Sequence, residues 1–252
     1  MRSLRCSTLP LGSPWRSHGR GSWPPNLSSR SPPVPLIAPR LFGIVVVSVA
    51  FIALTIAITA GAFTSLDQQV AQAMHSIWQP SLHGLFQALA ELGGLELTTV
   101  LMLGLLIFLW QQGFGSDALV VLAFFAAEGF ELFYKYNLPH PGPPRSIEQA
   151  DGPSLSDLLT GSLGGNSFPS GHMMRTVIVY GLLAFVVRRL SPSPLVRSLA
   201  APVAIVIIVV MAFDRLYLDV HWESDVIGGL LLGAIALLAG TVWLDRPRKA
   251  DN

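Results

Sequence analysis

Residues 41–63, LFGIVVVSVAFIALTIAITAGAF, run for 23 positions without a charged side chain. About 20 apolar helical residues cross the roughly 30 Å hydrocarbon core of a bilayer, so this run is long enough to span it. Such a segment leaves few folds open, because lipid offers no partner to backbone N–H and C=O groups and each must be satisfied internally. The remainder of the chain agrees. Of its 252 residues 51% are hydrophobic and 12% charged, and the mean hydropathy is +0.54, far from soluble usage.

Further apolar stretches cover 97–110, 118–134, 173–187, 198–213 and 226–244, each bounded by polar or charged residues. They predict six spans, the second of them short, and hence an all-α integral membrane six-helix bundle. Between the first two, Val70, Met74, Ile77, Leu82, Leu85 and Leu89 recur every three to five residues with Pro80 interrupting, which predicts an interfacial amphipathic helix or a helical hairpin. Residues 1–40 hold six arginines and no Asp or Glu. They are expected to form a disordered basic tail, although an organelle transit peptide or a misassigned start codon would have the same composition. The transmembrane domain is expected over 41–245, with a short cytoplasmic tail at 246–252. The single cysteine, Cys6, excludes an internal disulfide and a multi-cysteine metal site.

Basic residues are retained on the cytoplasmic side. The N-terminal tail, the connection bearing Arg188, Arg189 and Arg197, and the end bearing Arg246, Arg248 and Lys249 fall on one side of a six-span chain. The other side, extracytoplasmic by this rule, receives three polar clusters: KYNLPHPGPPR (Lys135 to Arg145), FPSGH (Phe168 to His172) and DRLYLDVHWESD (Asp214 to Asp225).

In FPSGH, Pro169 and Gly171 favour a turn, and a helix starting near His172 would aim unpaired amides into it, as phosphate sites do. Simple N-capping by Ser170 fits the same four residues. In the third cluster His221 and Asp225 are four apart, so on a helix the carboxylate reaches a ring nitrogen and fixes the tautomer. Arg215, six residues earlier, could grip phosphate oxygens in bidentate fashion. A polar rim where helices leave the membrane would look alike. Glu128 and Glu131 are expected to pair between helices with Lys135 or an arginine. Trp110, Trp222 and Trp243 are expected to anchor span ends, and His140 is expected to be an ordinary residue of a Pro-rich loop.

Together the clusters resemble the type 2 phosphatidic acid phosphatase family of the vanadium haloperoxidase-like superfamily, the six spans favouring a lipid phosphatase over a haloperoxidase; the family's signatures are Lys-x6-Arg-Pro, Pro-Ser-Gly-His and Ser-Arg-x5-His-x3-Asp. Pro169, Ser170, Gly171 and His172 match the second in full, and Arg215, His221 and Asp225 match the third at its spacing. Lys135 and Pro143 match the first, but Gly142 stands where the arginine is expected, and Asp214 stands where the third signature has serine. The resemblance implies a phosphatase acting on a lipid phosphate monoester or pyrophosphate, with the bilayer as its setting and neither cofactor nor metal. It implies that His221 attacks phosphorus, Asp225 orients it, and His172 protonates the leaving oxygen. Lys135, Ser170, Gly171 and Arg215 would hold the phosphate. Arg145 is expected to replace the missing arginine, with Arg175 as its rival. The alternative is a non-catalytic lipid-phosphate-binding or scaffold protein on the same fold. Nothing in the chain points to nucleic acid, and the oligomeric state is left open.

Overall fold

The structure, a computed structural model, describes residues 37–144 and 165–246. Among these, helices are the regular elements, joined by a single antiparallel bridge between Pro141 and Asn166. They are α1 (Ile37–Thr59), α2 (Thr64–Ile77), α3 (Pro80–Ala90), α4 (Leu95–Gln111), α5 (Val121–Asn137), α6 (Gly171–Leu190), α7 (Pro194–Tyr217) and α8 (Glu223–Leu244). The all-α class is as expected. Four stretches are long and apolar enough to cross a membrane: Ile37–Thr59, Pro80–Gln111, Pro194–Tyr217 and Glu223–Leu244.

Two details differ from the sequence reading. The first helix begins at Ile37 rather than Leu41 and so takes in Arg40, whose charge is met by Asp245. The amphipathic segment divides at Pro80, which occupies the first turn of α3, where its missing N–H costs no hydrogen bond. α3 then continues through a 3₁₀ turn (Glu91–Gly93) into α4, so the short second span is the far half of a longer apolar stretch.

Helix α6 lies at the centre, packed on α4, α5, α7 and α8, while α1 lies along α8. Its burial follows from its charge: Arg175 is 1% exposed and its guanidinium meets the carboxylates of Glu128 and Glu131 on α5. The outer helices are the reverse. Phe42, Val45, Val49 and Ile56 of α1 and Val203, Ile205, Val206 and Val209 of α7 are exposed, the pattern of faces turned to lipid rather than water.

Close approach of α6 and α8 rests on glycines. A methyl group on Gly233 would come within 2.8 Å of the Met174 carbonyl oxygen, and one on Gly229 would overlap the Ser170 carbonyl. Small residues four apart let two backbones meet in this way. The contact brings the N-terminal ends of α6 and α8 together at one end of the bundle. At the other end Arg40 and Arg189 pair with Asp245, and Arg246 with Asp117.

Candidate active site

The three clusters converge at the first of these ends. Lys135 closes α5, the FPSGH turn opens α6, Arg215 closes α7, and the His221 loop opens α8. Lys135, Arg175, Arg215 and His221 all lie close enough to His172 for their charges to act on its ring.

Ser170 is the N-cap of α6, yet its side chain makes no cap bond. The hydroxyl is fully buried and has no hydrogen-bond partner among the described residues. Plain N-capping is therefore not what this serine does here, and a buried hydroxyl without a partner costs on the order of 1–3 kcal/mol. Its backbone N–H donates to the carbonyl of Asp225 at 3.0 Å, tying the turn to α8. Gly171 is glycine for room: any Cβ there would overlap the Glu131 carboxylate.

Glu131 is completely buried and joins two cations. One oxygen meets Lys135 Nζ at 2.7 Å and the other accepts from Arg175 at 3.2 Å. The expected interhelical pairing of Glu128 and Glu131 is thus present. Arg175 also donates from Nε to the Gly93 carbonyl at 3.0 Å, and from a terminal nitrogen it meets His172 Nδ1 at 3.4 Å. A guanidinium can only donate, so His172 Nδ1 acts as acceptor and the ring proton sits on Nε2. Arg175 therefore braces His172 and Glu131 rather than offering itself to a ligand.

Asp225, 0% exposed, is the corresponding brace for His221. Its Oδ2 accepts from the Trp222 backbone N–H at 2.9 Å, closing the first turn of α8, and lies 3.5 Å from His221 Nδ1. With Nδ1 facing the carboxylate, His221 Nε2 is turned away from it. Burial pushes the His221 pKa down; Asp225 opposes this, while Lys135 and Arg215 reinforce it. The shift favours the neutral ring. Arg215, 5% exposed, donates from Nε and a terminal nitrogen to Asp214 Oδ2 at 2.9 and 2.5 Å, so the charge at the departing position 214 is taken up by its neighbour.

Two residues differ from their expected parts. His140 does lie in the Pro-rich loop, but its Nε2 reaches to 3.3 Å from Asp225 Oδ1. Trp222, expected as a membrane anchor, donates its indole N–H to the Pro141 carbonyl at 2.8 Å and fastens that loop. Asn166 and Asp67, neither a candidate from the sequence, also hold the site together. The Asn166 amide accepts from the His140 N–H and donates to the Lys135 carbonyl. Asp67 of α2 accepts from both the N–H and the hydroxyl of Ser224, at 2.9 Å each. An Asn beside a turn and an Asp on a polar helix face carry no sequence signal of such distant partners. Gly142, donating to the Gly165 carbonyl, sits beside Ser167 and Val220. Arg145 lies outside the described residues.

The class that this fold and site define is a helical membrane protein with a buried cluster of paired charges around two histidines at one end. A model of the PAP2 superfamily matches residues 117–249, and the chain belongs to that superfamily. Phosphatidylglycerophosphatase B of Bacillus subtilis (strain 168) is 29% identical over 188 residues, 73% of this chain and 86% of that protein. A protein of Escherichia coli (strain K12) named as an undecaprenyl-diphosphatase, YbjG, is 34% identical over 59% of this chain and 69% of its own length. The crystal structure of a transmembrane PAP2 type phosphatidylglycerolphosphate phosphatase from Bacillus subtilis superposes with a TM-score of 0.65 at 24% identity, covering 79% of this chain and 94% of that one. The same fold is thus shared at a distance where sequence alone is a weak guide.

Proposed function

We propose that the protein is a lipid phosphatase that hydrolyses a phosphate monoester or pyrophosphate of a membrane lipid through a phosphohistidine at His221. The observation that carries this reading is the convergence of His221, braced by Asp225, and His172, braced by Arg175, beside Lys135 and Arg215. The names of the relatives, one a phosphatidylglycerophosphatase and one an undecaprenyl-diphosphatase, support the substrate class.

His221 Nε2 forms a bond to phosphorus as the bond to the leaving oxygen breaks, and that oxygen takes a proton from His172. Water then attacks the phosphohistidine, giving its proton to His172 and returning His221 with inorganic phosphate. Lys135, Arg215, the Ser170 hydroxyl and the Gly171 amide hold the phosphate oxygens, the electrostatic preorganisation on which phosphoryl transfer depends. The acid form of His172 carries a proton on Nδ1 as well as on Nε2, so the Arg175 contact at Nδ1 gives way when the negative charge of the substrate draws that second proton in. Arg145 supplies the charge missing at Gly142, and the clamp works without a metal ion. Both termini face the cytoplasm, six helices cross the bilayer, and the pocket opens on the extracytoplasmic face. The pocket lying opposite the Arg40, Arg189 and Arg246 end supports this orientation.

The test is phosphate release by the purified protein from phosphatidate, phosphatidylglycerophosphate, a sphingoid phosphate and a polyprenyl pyrophosphate, in EDTA. Activity on at least one is expected, inhibited by vanadate. His221→Ala should abolish it, and His172→Ala should lower it by about 10²- to 10⁴-fold, the usual contribution of a general acid. Near-normal turnover by His221→Ala would sink the mechanism. Binding of lipid phosphates without turnover would favour a non-catalytic binding protein.

A further inference from the structure

His140 is an imidazole that this reaction scheme leaves unused, yet it touches the carboxylate that braces the nucleophile. We propose that His140 is a positioning residue: by engaging Asp225 Oδ1 it leaves Oδ2 to face His221 Nδ1 and so keeps His221 Nε2 turned toward the phosphate. The inference rests on the phosphatase reading and deepens it.

Asp225 has two oxygens and two tasks. Oδ2 serves the Trp222 N–H and His221, whereas His140 Nε2, at 3.3 Å, is the group facing Oδ1, an atom that is buried and has no formed hydrogen bond among the described residues. Without His140 this oxygen would be a desolvated acceptor with nothing opposite it, and rotation of the carboxylate would be the available relief. A second partner of this kind fixes a carboxylate in the way outer-shell groups fix the orientation of ligating side chains.

The ring is held where it is by its backbone. The His140 N–H donates to Asn166 Oδ1 at 2.9 Å, and its carbonyl accepts from the Ser167 N–H at 2.8 Å and the Ser167 hydroxyl at 3.1 Å. Pro139 and Pro141 on either side restrict the loop further, and Trp222 clasps the Pro141 carbonyl. The ring's edge meets the Phe168 ring.

Charge points the same way. The acidic groups that act on His140 are Asp225 from α8 and Asp67 from α2; burial opposes protonation, but contact with Asp225 and then its charge and that of Asp67 raise the His140 pKa. In a chain whose first signature lacks its arginine at Gly142, the same loop thus delivers an imidazole two positions earlier, to the brace of the nucleophile rather than to the substrate.

The experiment uses the full-length protein in detergent with the lipid phosphate it hydrolyses best. His140→Ala is expected to lower kcat about 10- to 100-fold, the range seen for outer-shell partners, with KM little changed. His140→Gln, whose amide nitrogen can reach the same oxygen, should restore most of kcat. A second arm follows the histidine rings by NMR: the His140 signal, identified by its loss in His140→Gln, should titrate at lower pH in Asp225→Asn. If the wild type is active, His221→Ala is dead and His140→Ala turns over normally, the positioning role fails while the phosphatase reading stands. A His140 titration that Asp225→Asn does not move overturns the contact itself. No turnover by the wild type on any lipid phosphate removes the phosphatase reading and the positioning role with it.

Discussion

Arg215 enters the pocket already paired, because Asp214 holds two of its guanidinium nitrogens on one buried oxygen. A phosphate held by Arg215, as proposed, would have to compete with, or share, that carboxylate. Asp214→Ser, the residue usual at this place in the family pattern, is expected to destabilise the empty protein by about 2 kcal/mol, the loss of charged hydrogen bonds. Vanadate should then raise its Tm more than it raises that of the wild type, since a ligand that binds only the folded state stabilises in proportion to its affinity. An equal or smaller rise in thermal unfolding scans would contradict this. At His221 the burial-lowered pKa keeps the ring neutral to lower pH than a free imidazole, whose value is about 6.5. The acid limb of kcat/KM, measured on the wild type, should accordingly fall below that pH; a limb at or above it would mean that another group limits attack. Ser170, His172, Arg215, His221 and Asp225 were legible in the sequence because their spacing is local and matches a known pattern. His140 was not, because what defines it is a carboxylate 85 positions away, reached across a loop no periodicity describes.

Among the elements, the meeting of α6 and α8 matters most, since it sets the distance between the Ser170–His172 turn and the His221 loop. Gly229→Val is expected to force the helices apart at the Ser170 carbonyl, with the cost of about 1–3 kcal/mol usual for overpacking. Because the displaced backbone carries the turn proposed to hold the phosphate, kcat should fall along with the Tm. Gly104, on α4 with open space around it, is the control: Gly104→Ala should leave both nearly unchanged. Wild-type kinetics in Gly229→Val would show that the site tolerates a wider gap. The helices themselves were readable from apolar length, and Pro80 marked its boundary correctly. The central place of α6 was not readable. It is the least apolar of the long helices, and its place inside goes with long-range contacts such as the pairing of Arg175 with two carboxylates on α5 and the glycine contact with α8.

At the scale of the whole molecule, the pocket and the arginine-rich contacts occupy opposite ends of the bundle, which makes orientation testable with two cysteines. In a Cys6→Ser background, Asn137→Cys near the pocket should react with a membrane-impermeant thiol reagent on intact cells, and Gln112→Cys should react only after lysis. The reverse pattern would invert the orientation. The interruption between α3 and α4 has a consequence for how the bundle meets lipid. The carbonyls of Leu92 and Gly93, released by the 3₁₀ turn, are taken by the Tyr180 hydroxyl at 2.9 Å and Arg175 Nε at 3.0 Å, both on α6. A bent helix facing hydrocarbon would leave such oxygens stranded at several kcal/mol each. Here the neighbouring helix does the work of water, so the bend can lie at whatever depth α6 supplies donors. Its position is written in the sequence of α6, some eighty residues downstream of the helix that bends.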